Sequence, residues 1–188
     1  MPTAKPTALA TVYRIKVTLK HTKPPIWRRV EVAGNTKLPK LHDIIQIAMG
    51  WTDSHLHQFI VGRTTYGVPD PEFRDDIENE KNVKLEQFAT QGDRLIYEYD
   101  FGDGWEHELH IEAIAPPERG VRYPRCLAGK RACPPEDCGG PPGYENLLQA
   151  LADPTHEAHN DMKEWLGRPF DPEAFDLNDV NDALRQIK

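Results

Sequence analysis

No stretch of this chain comes near the roughly 20 consecutive apolar residues that a bilayer-spanning helix needs, and Met1 to Ala10 lacks the apolar middle of a secretory leader. A cytoplasmic protein with no membrane partner is the expectation. Cysteine is scarce as well. The three thiols all fall between Cys126 and Cys138. That odd, crowded set is unlike the even, dispersed bridges of small secreted domains, so reduced thiols are expected. Internal repeats and low-complexity tracts are absent, which argues against a solenoid.

Acidic residues are rare only in the first third. The formal charge of -7 conceals a split: Met1 to Pro69 holds ten Lys+Arg against three Asp+Glu, whereas the remainder holds thirteen against twenty-seven. Such polarity marks either a basic binding surface or a solvated or self-complementary one, and the second is the expectation because surface charge usually serves solubility. At 188 residues the chain suits one domain with a substantial core. A flexible start over 1–11 and a single domain over 12–188, helical from about residue 143, are expected.

Hydrophobic periodicity supplies the elements. Tyr13, Ile15, Val17 and Leu19 alternate with Val12, Arg14, Lys16 and Thr18, a half-buried strand. After Pro24-Pro25, Ile26 to Val32 forms a second strand that should pair with the first as an antiparallel hairpin. Leu41, Ile44, Ile45 and Ala48 recur at helical spacing between Pro39 and Gly50. Leu56 to Val61 reads as strand, and the acidic, proline-bearing 69–82 as a surface excursion. Arg94 to Phe101 and Trp105 to Ile114 read as a hairpin. Three helices follow, beginning near Tyr144, His156 and Leu177. This order predicts an α+β fold: a mixed, largely antiparallel sheet covered by one helix, with a β-grasp-like β-β-α-β start and C-terminal helices.

The stretch Tyr97-Glu98-Tyr99-Asp100-Phe101-Gly102-Asp103-Gly104-Trp105-Glu106-His107 crowds rings, two aspartates and a histidine around one turn. Gly102-Asp103-Gly104 would supply its positive-φ positions. His107 points to the core face, while Asp100 and Asp103 are candidate catalytic groups or ligands. His55 and His57 lie two apart, which on a strand puts both on one face. Should that strand neighbour the hairpin, His55, His57 and His107 with an aspartate would suit a divalent transition metal such as zinc. Hydrogen bonding without metal is the plainer reading of the same histidines. Cys126, Cys133 and Cys138 are a candidate second metal site, with His156 or His159 as a fourth ligand, although only the second spacing fits a zinc motif. Glu136-Asp137 could instead turn a carboxylate toward the histidines. Arg14, Lys16, Arg28 and Arg29 form a candidate phosphate stripe for weak, salt-sensitive nucleic-acid binding on the first hairpin; a solvated strand face is the alternative.

These residues resemble the plasmid pRiA4b ORF-3-like family. The matching pieces are Tyr13-Arg14-Ile15-Lys16-Val17, Pro25-Ile26-Trp27-Arg28-Arg29, Leu41-His42 through Gly50-Trp51, His55 to Phe59, Tyr97 to His107, Cys126-Leu127-Ala128-Gly129, and Ala132 to Gly140 with Gly143-Tyr144. Their order makes the resemblance specific, and it spans nearly the whole chain. The resemblance implies no established activity, although some members carry resolvase-like labels or are joined to a repressor-type DNA-binding domain. No serine beside an arginine cluster, which a resolvase would require, occurs here. The expected function is therefore a ligand- or partner-binding module, associated with mobile elements or nucleic acid; the alternative is a metal-dependent hydrolase using a His/Asp cluster.

Overall fold

Strand β1 (Val12–Leu19) buries Tyr13, Ile15, Val17 and Leu19, and pairs antiparallel with β2 (Ile26–Ala33), so that Leu19 faces Ile26 and Val12 faces Ala33. The computed structural model describes residues 11–69 and 76–187. Most of the flexible start expected over 1–11, and 70–75 of the expected excursion, lie outside the described residues. After β2 comes helix α1 (Leu38–Met49), which begins with proline in its first turn and stops at Gly50. Its apolar stripe of Leu38, Leu41, Ile44, Ile45 and Ala48 is fully buried, as the 3.6-residue period requires.

β3 (His57–Val61), β4 (Thr64–Gly67), β5 (Ile77–Asn79), β6 (Arg94–Tyr99), β7 (Trp105–Ala115) and β8 (Arg125–Lys130) complete an eight-stranded sheet. Its order is β5-β4-β3-β6-β7-β1-β2-β8. Every neighbouring pair is antiparallel except β4 with β5. The α+β sheet with a covering helix is therefore as the periodicity predicted. β4, β5 and β8 were not foreseen: β4 and β5 are too short to show a period, and β8 runs into the cysteine, glycine and proline stretch from Cys126 that reads as irregular. Helices α2 (Gly140–Ala152), α3 (His159–Leu166) and α4 (Leu177–Leu184) close the chain. α4 packs on α1 and β8, where the Asn181 side chain accepts from the Cys126 N–H at 2.8 Å and donates to the Cys126 carbonyl at 3.0 Å.

The basic first hairpin divides by face. Arg28 shares the inward side of β2 with Ile26, Val30 and Val32 and is only 2% exposed, which removes it from the expected phosphate stripe. Its guanidinium donates to the carbonyls of Ala48 at 2.7 Å, Trp27 at 2.8 Å, Arg131 at 2.8 Å, Lys130 at 3.0 Å and Met49 at 3.5 Å. Ala48 and Met49 end α1, where a cation complements the helix dipole. Of the remaining stripe, Arg14 pairs with Glu31 at 2.9 Å, Arg29 pairs with Glu112 at 2.6 Å, and Lys16 sits 5.2 Å from the Trp27 ring centre. Glu31 also holds Arg125 at 2.6 Å. Arg29 with Glu112 and Lys20 with Glu106 thus match cations of the first third to later carboxylates, while Arg14 finds its partner within the first third.

Candidate metal centre

Hairpin β6–β7 pairs Tyr97 with His107 and Tyr99 with Trp105, and these side chains face the core. Asp100 begins the turn in the left-handed region at φ 56°, and its Oδ1 accepts from the N–H groups of Gly102 at 3.0 Å and Asp103 at 3.3 Å. The positive-φ positions are Asp100 and Gly104, not the expected Gly102-Asp103-Gly104 run, since an aspartate that bonds two residues ahead tolerates this conformation. Asp103 accepts from the Gly139 N–H at 3.1 Å, at the start of α2. That carboxylate serves the helix N-terminus, where negative charge is favoured. It lies outside the group of ligands described next.

His55 is carried by the loop between α1 and β3. Its Nε2 lies 3.0 Å from Asp137 Oδ1, 3.6 Å from Asp100 Oδ2 and 3.9 Å from Glu136 Oε2. Ligand atoms of His55, Asp100 and Asp137 all fall within 4.8 Å of one another, the only such group of three or more His, Cys, Asp or Glu among the described residues. His55 Nε2 is shielded from solvent yet makes no hydrogen bond. Asp137 Oδ1 is near enough but out of line for one, and Asp100 Oδ2 is beyond bonding distance.

Fixed scaffold positions each member. Trp51 donates its indole N–H to the Pro134 carbonyl at 3.0 Å, the Asp53 N–H meets Gln46 Oε1 at 3.0 Å, and the Ser54 N–H meets the Tyr99 hydroxyl at 2.9 Å. From the opposite side, Glu136 accepts from the Thr52 N–H at 2.9 Å and from the Tyr99 hydroxyl at 3.1 Å. Burial pushes the Tyr99 hydroxyl up, so it stays protonated and can donate. The Asp100 N–H donates to the Leu56 carbonyl at 2.9 Å, tying the histidine loop to the turn.

The three expected histidines have three different environments. β3 begins only at His57, and Asp53 at φ 55° turns the chain before it, so the two-residue rule of a strand does not extend back to His55. His57 reaches buried Glu80 at 3.1 Å and stacks on His42 with ring centres 3.5 Å apart. His42 bonds to the Tyr97 hydroxyl and to Asp53 Oδ1, each at 2.8 Å. Burial, and next the His57 ring, hold the His42 imidazole below the usual histidine range. His107 is fully buried, with Nδ1 3.3 Å from the Tyr97 carbonyl and the Trp51 ring edge-on at 5.1 Å. Neither His57 nor His107 joins the group around His55. Sequence reasoning missed His42, whose place on the buried stripe of α1 was the available signal, and Glu80, lost within an acidic tract. It did anticipate a carboxylate from Glu136-Asp137.

The cysteines do not assemble a second centre. Cys126 sits inside β8 with its thiol 3.4 Å from the Ala128 carbonyl, while Cys133 and Cys138 follow on the loop to α2. Burial raises all three thiols, Cys133 well above its ordinary value and Cys138 to about 12. Among the described residues, no group of three or more ligand atoms close enough to share a metal ion includes a cysteine.

Burial also lowers the His107 imidazole to about 4. A histidine depressed in the folded state is protonated preferentially in the unfolded chain, so its contribution is complete above about pH 6.5 and is lost as pH falls toward 4. The expected loss by pH 4 is about 3 kcal/mol. Urea titrations at pH 7 and pH 4 should show a drop in stability that shrinks by this amount in His107→Gln. An equal drop in both proteins would contradict the assignment.

A family model described as plasmid pRiA4b ORF-3-like protein matches residues 11–179. The chain is 42% identical over 182 residues to an uncharacterized protein of Sinorhizobium fredii, covering 95% of this chain and 93% of that one. It is also similar to the crystal structure of a protein of unknown function from Methanosarcina mazei Go1, with a TM-score of 0.85 and 42% identity over 92% of this chain and 99% of the other.

Proposed function

For a chain that belongs to the plasmid pRiA4b ORF-3-like protein family, we propose a divalent-metal-binding module in which His55, Asp100 and Asp137 are the ligands and Glu136 stands beside them. One observation carries this reading: His55 Nε2 is shielded, makes no hydrogen bond and has oxygens of two aspartates within 3.6 Å. A cation between them would satisfy all three groups at once. One imidazole with two carboxylates suits zinc, manganese or ferrous iron better than a soft-metal thiolate site. The Asp137 side chain is 70% exposed, which leaves the outer side of the centre open to solvent and to a ligand. A metal held there would supply Lewis acidity or an activated water, the chemistry of a hydrolase. In that chemistry Glu136, oriented by Tyr99 and Thr52, is the group suited to accept a proton.

Nucleic-acid binding through the first hairpin has less support, since Arg28 is buried and Arg14 and Arg29 already hold carboxylates. Among the described residues no helix is long and apolar enough to cross a membrane.

Chelator-stripped protein titrated with zinc or manganese should bind about one equivalent. His55→Ala and Asp100→Asn should each weaken binding about tenfold or more, whereas His57→Ala should leave it intact. Metal binding that is unchanged in His55→Ala, or none in the wild type, would refute the proposal.

A further inference from the structure

Next to the proposed centre, α2 and α3 leave a cleft of about 370 Å³ between them. Leu147 of α2 and Met162 and Trp165 of α3 supply its apolar wall; Asp137, Asn146 and Asp161 supply its polar groups. No lysine, arginine or histidine lines it. Its size is at the low end of small-ligand pockets. Asp161 and Trp165 are four residues apart on α3 and so share one helix face. Trp165 is 48% exposed, an unusual condition for a large ring. Among the described residues the exposed large apolar side chains are Leu56, Val68, Phe101 and Trp165. Of these, only Trp165 lines the cleft, and an exposed indole on the wall of a cleft is a contact surface for a ligand.

We infer that the cleft is a ligand pocket beside this centre, and that it takes a small organic amine with an apolar body: the ammonium group against Asp161 and Trp165, the body over Leu147 and Met162, and the far end toward Asp137. A lining that holds Asp137 and Asp161 and no lysine, arginine or histidine favours a cationic ligand over an anionic one, and an indole one helical turn from a carboxylate is a favourable seat for an ammonium. A metal held by Asp137 would offset that carboxylate's charge, leaving Asp161 to take the amine. The pocket's ligand chemistry stands on its own; only the orientation of the far end rests on the metal reading.

The test uses the full chain, metal-free and zinc-loaded, titrated with phenethylamine and with phenylacetate, which has a similar body and the opposite charge. The readout is the Trp165 indole NMR signal, assigned with Trp165→Phe. Phenethylamine should shift that signal saturably, and phenylacetate should bind at least about tenfold more weakly. Asp161→Asn should weaken the amine about fivefold without changing zinc affinity, and because Asp161 is exposed the variant keeps its fold. Zinc binding with no saturable effect of the amine on Trp165, or equal binding of the two probes, overturns the inference. Amine binding in a protein that takes no zinc leaves the pocket standing and removes the metal centre.

Discussion

Arg28→Met is expected to destabilise the protein by about 3–5 kcal/mol, a large share of the total stability of a domain this size. The guanidinium ties the end of α1 to the end of β8, bonding the carbonyls of Ala48 and Met49 on one side and Lys130 and Arg131 on the other. Truncation leaves those carbonyls without a donor in a place water does not reach, and each orphaned group costs about 1–3 kcal/mol. The planar fork also stacks on Phe175 at 4.5 Å, a contact a lysine cannot reproduce. Arg28→Lys should therefore recover less than half of the loss. Urea midpoints of the two variants against the parent provide the measurement. A methionine variant within about 0.5 kcal/mol of the parent would show that water or rearranged backbone satisfies these carbonyls.

Gly143→Ala should be of similar severity for a different reason. A Cβ at Gly143 would stand 1.9 Å from the Cys138 carbonyl oxygen, and one at Gly140 would stand 2.3 Å from the Asp103 carbonyl oxygen. Both obstacles are backbone, so no side chain can swing away, and the turn entering α2 must open. A loss of about 3 kcal/mol or more is expected. Asp137 lies just before that turn, so zinc affinity should fall in Gly143→Ala even though every proposed ligand is retained. Calorimetric titration beside a thermal melt separates the two effects. A variant with parental melting temperature and parental zinc affinity would mean that the loop has an alternative packing of equal energy.

The elements legible from sequence were those whose signal is local. Tyr13, Ile15, Val17 and Leu19 declare a strand through their alternation, and Leu41, Ile44, Ile45 and Ala48 declare a helix through theirs. The candidate centre was legible only in part, because Asp100, His55 and Asp137 come from a turn and two irregular loops, where side-chain direction follows no period. Asp100 and His55 could be singled out by residue type. Assigning His55 to the same face as His57 failed because His55 and Leu56 lie in the irregular loop ahead of β3, where strand alternation does not apply. Arg28 was misread in the opposite sense. Its alternation with Ile26, Val30 and Val32 indicated burial, but its charge suggested the surface.

The position of β1 inside the sheet has a consequence for how the molecule is made. β1 and β2 can pair as soon as both have left the ribosome, but the other flank of β1 belongs to β7, with Leu19 opposite His107. Until Trp105–Ala115 has been synthesised, the nascent chain carries an open β1 edge on one side and the unfinished β3–β6 ladder on the other. Joining them closes a loop of most of the intervening sequence, the kind of long-range pairing that slows folding. The turn bearing Asp100 is completed by that same strand, so the proposed binding groups can meet only after the two parts of the sheet have joined.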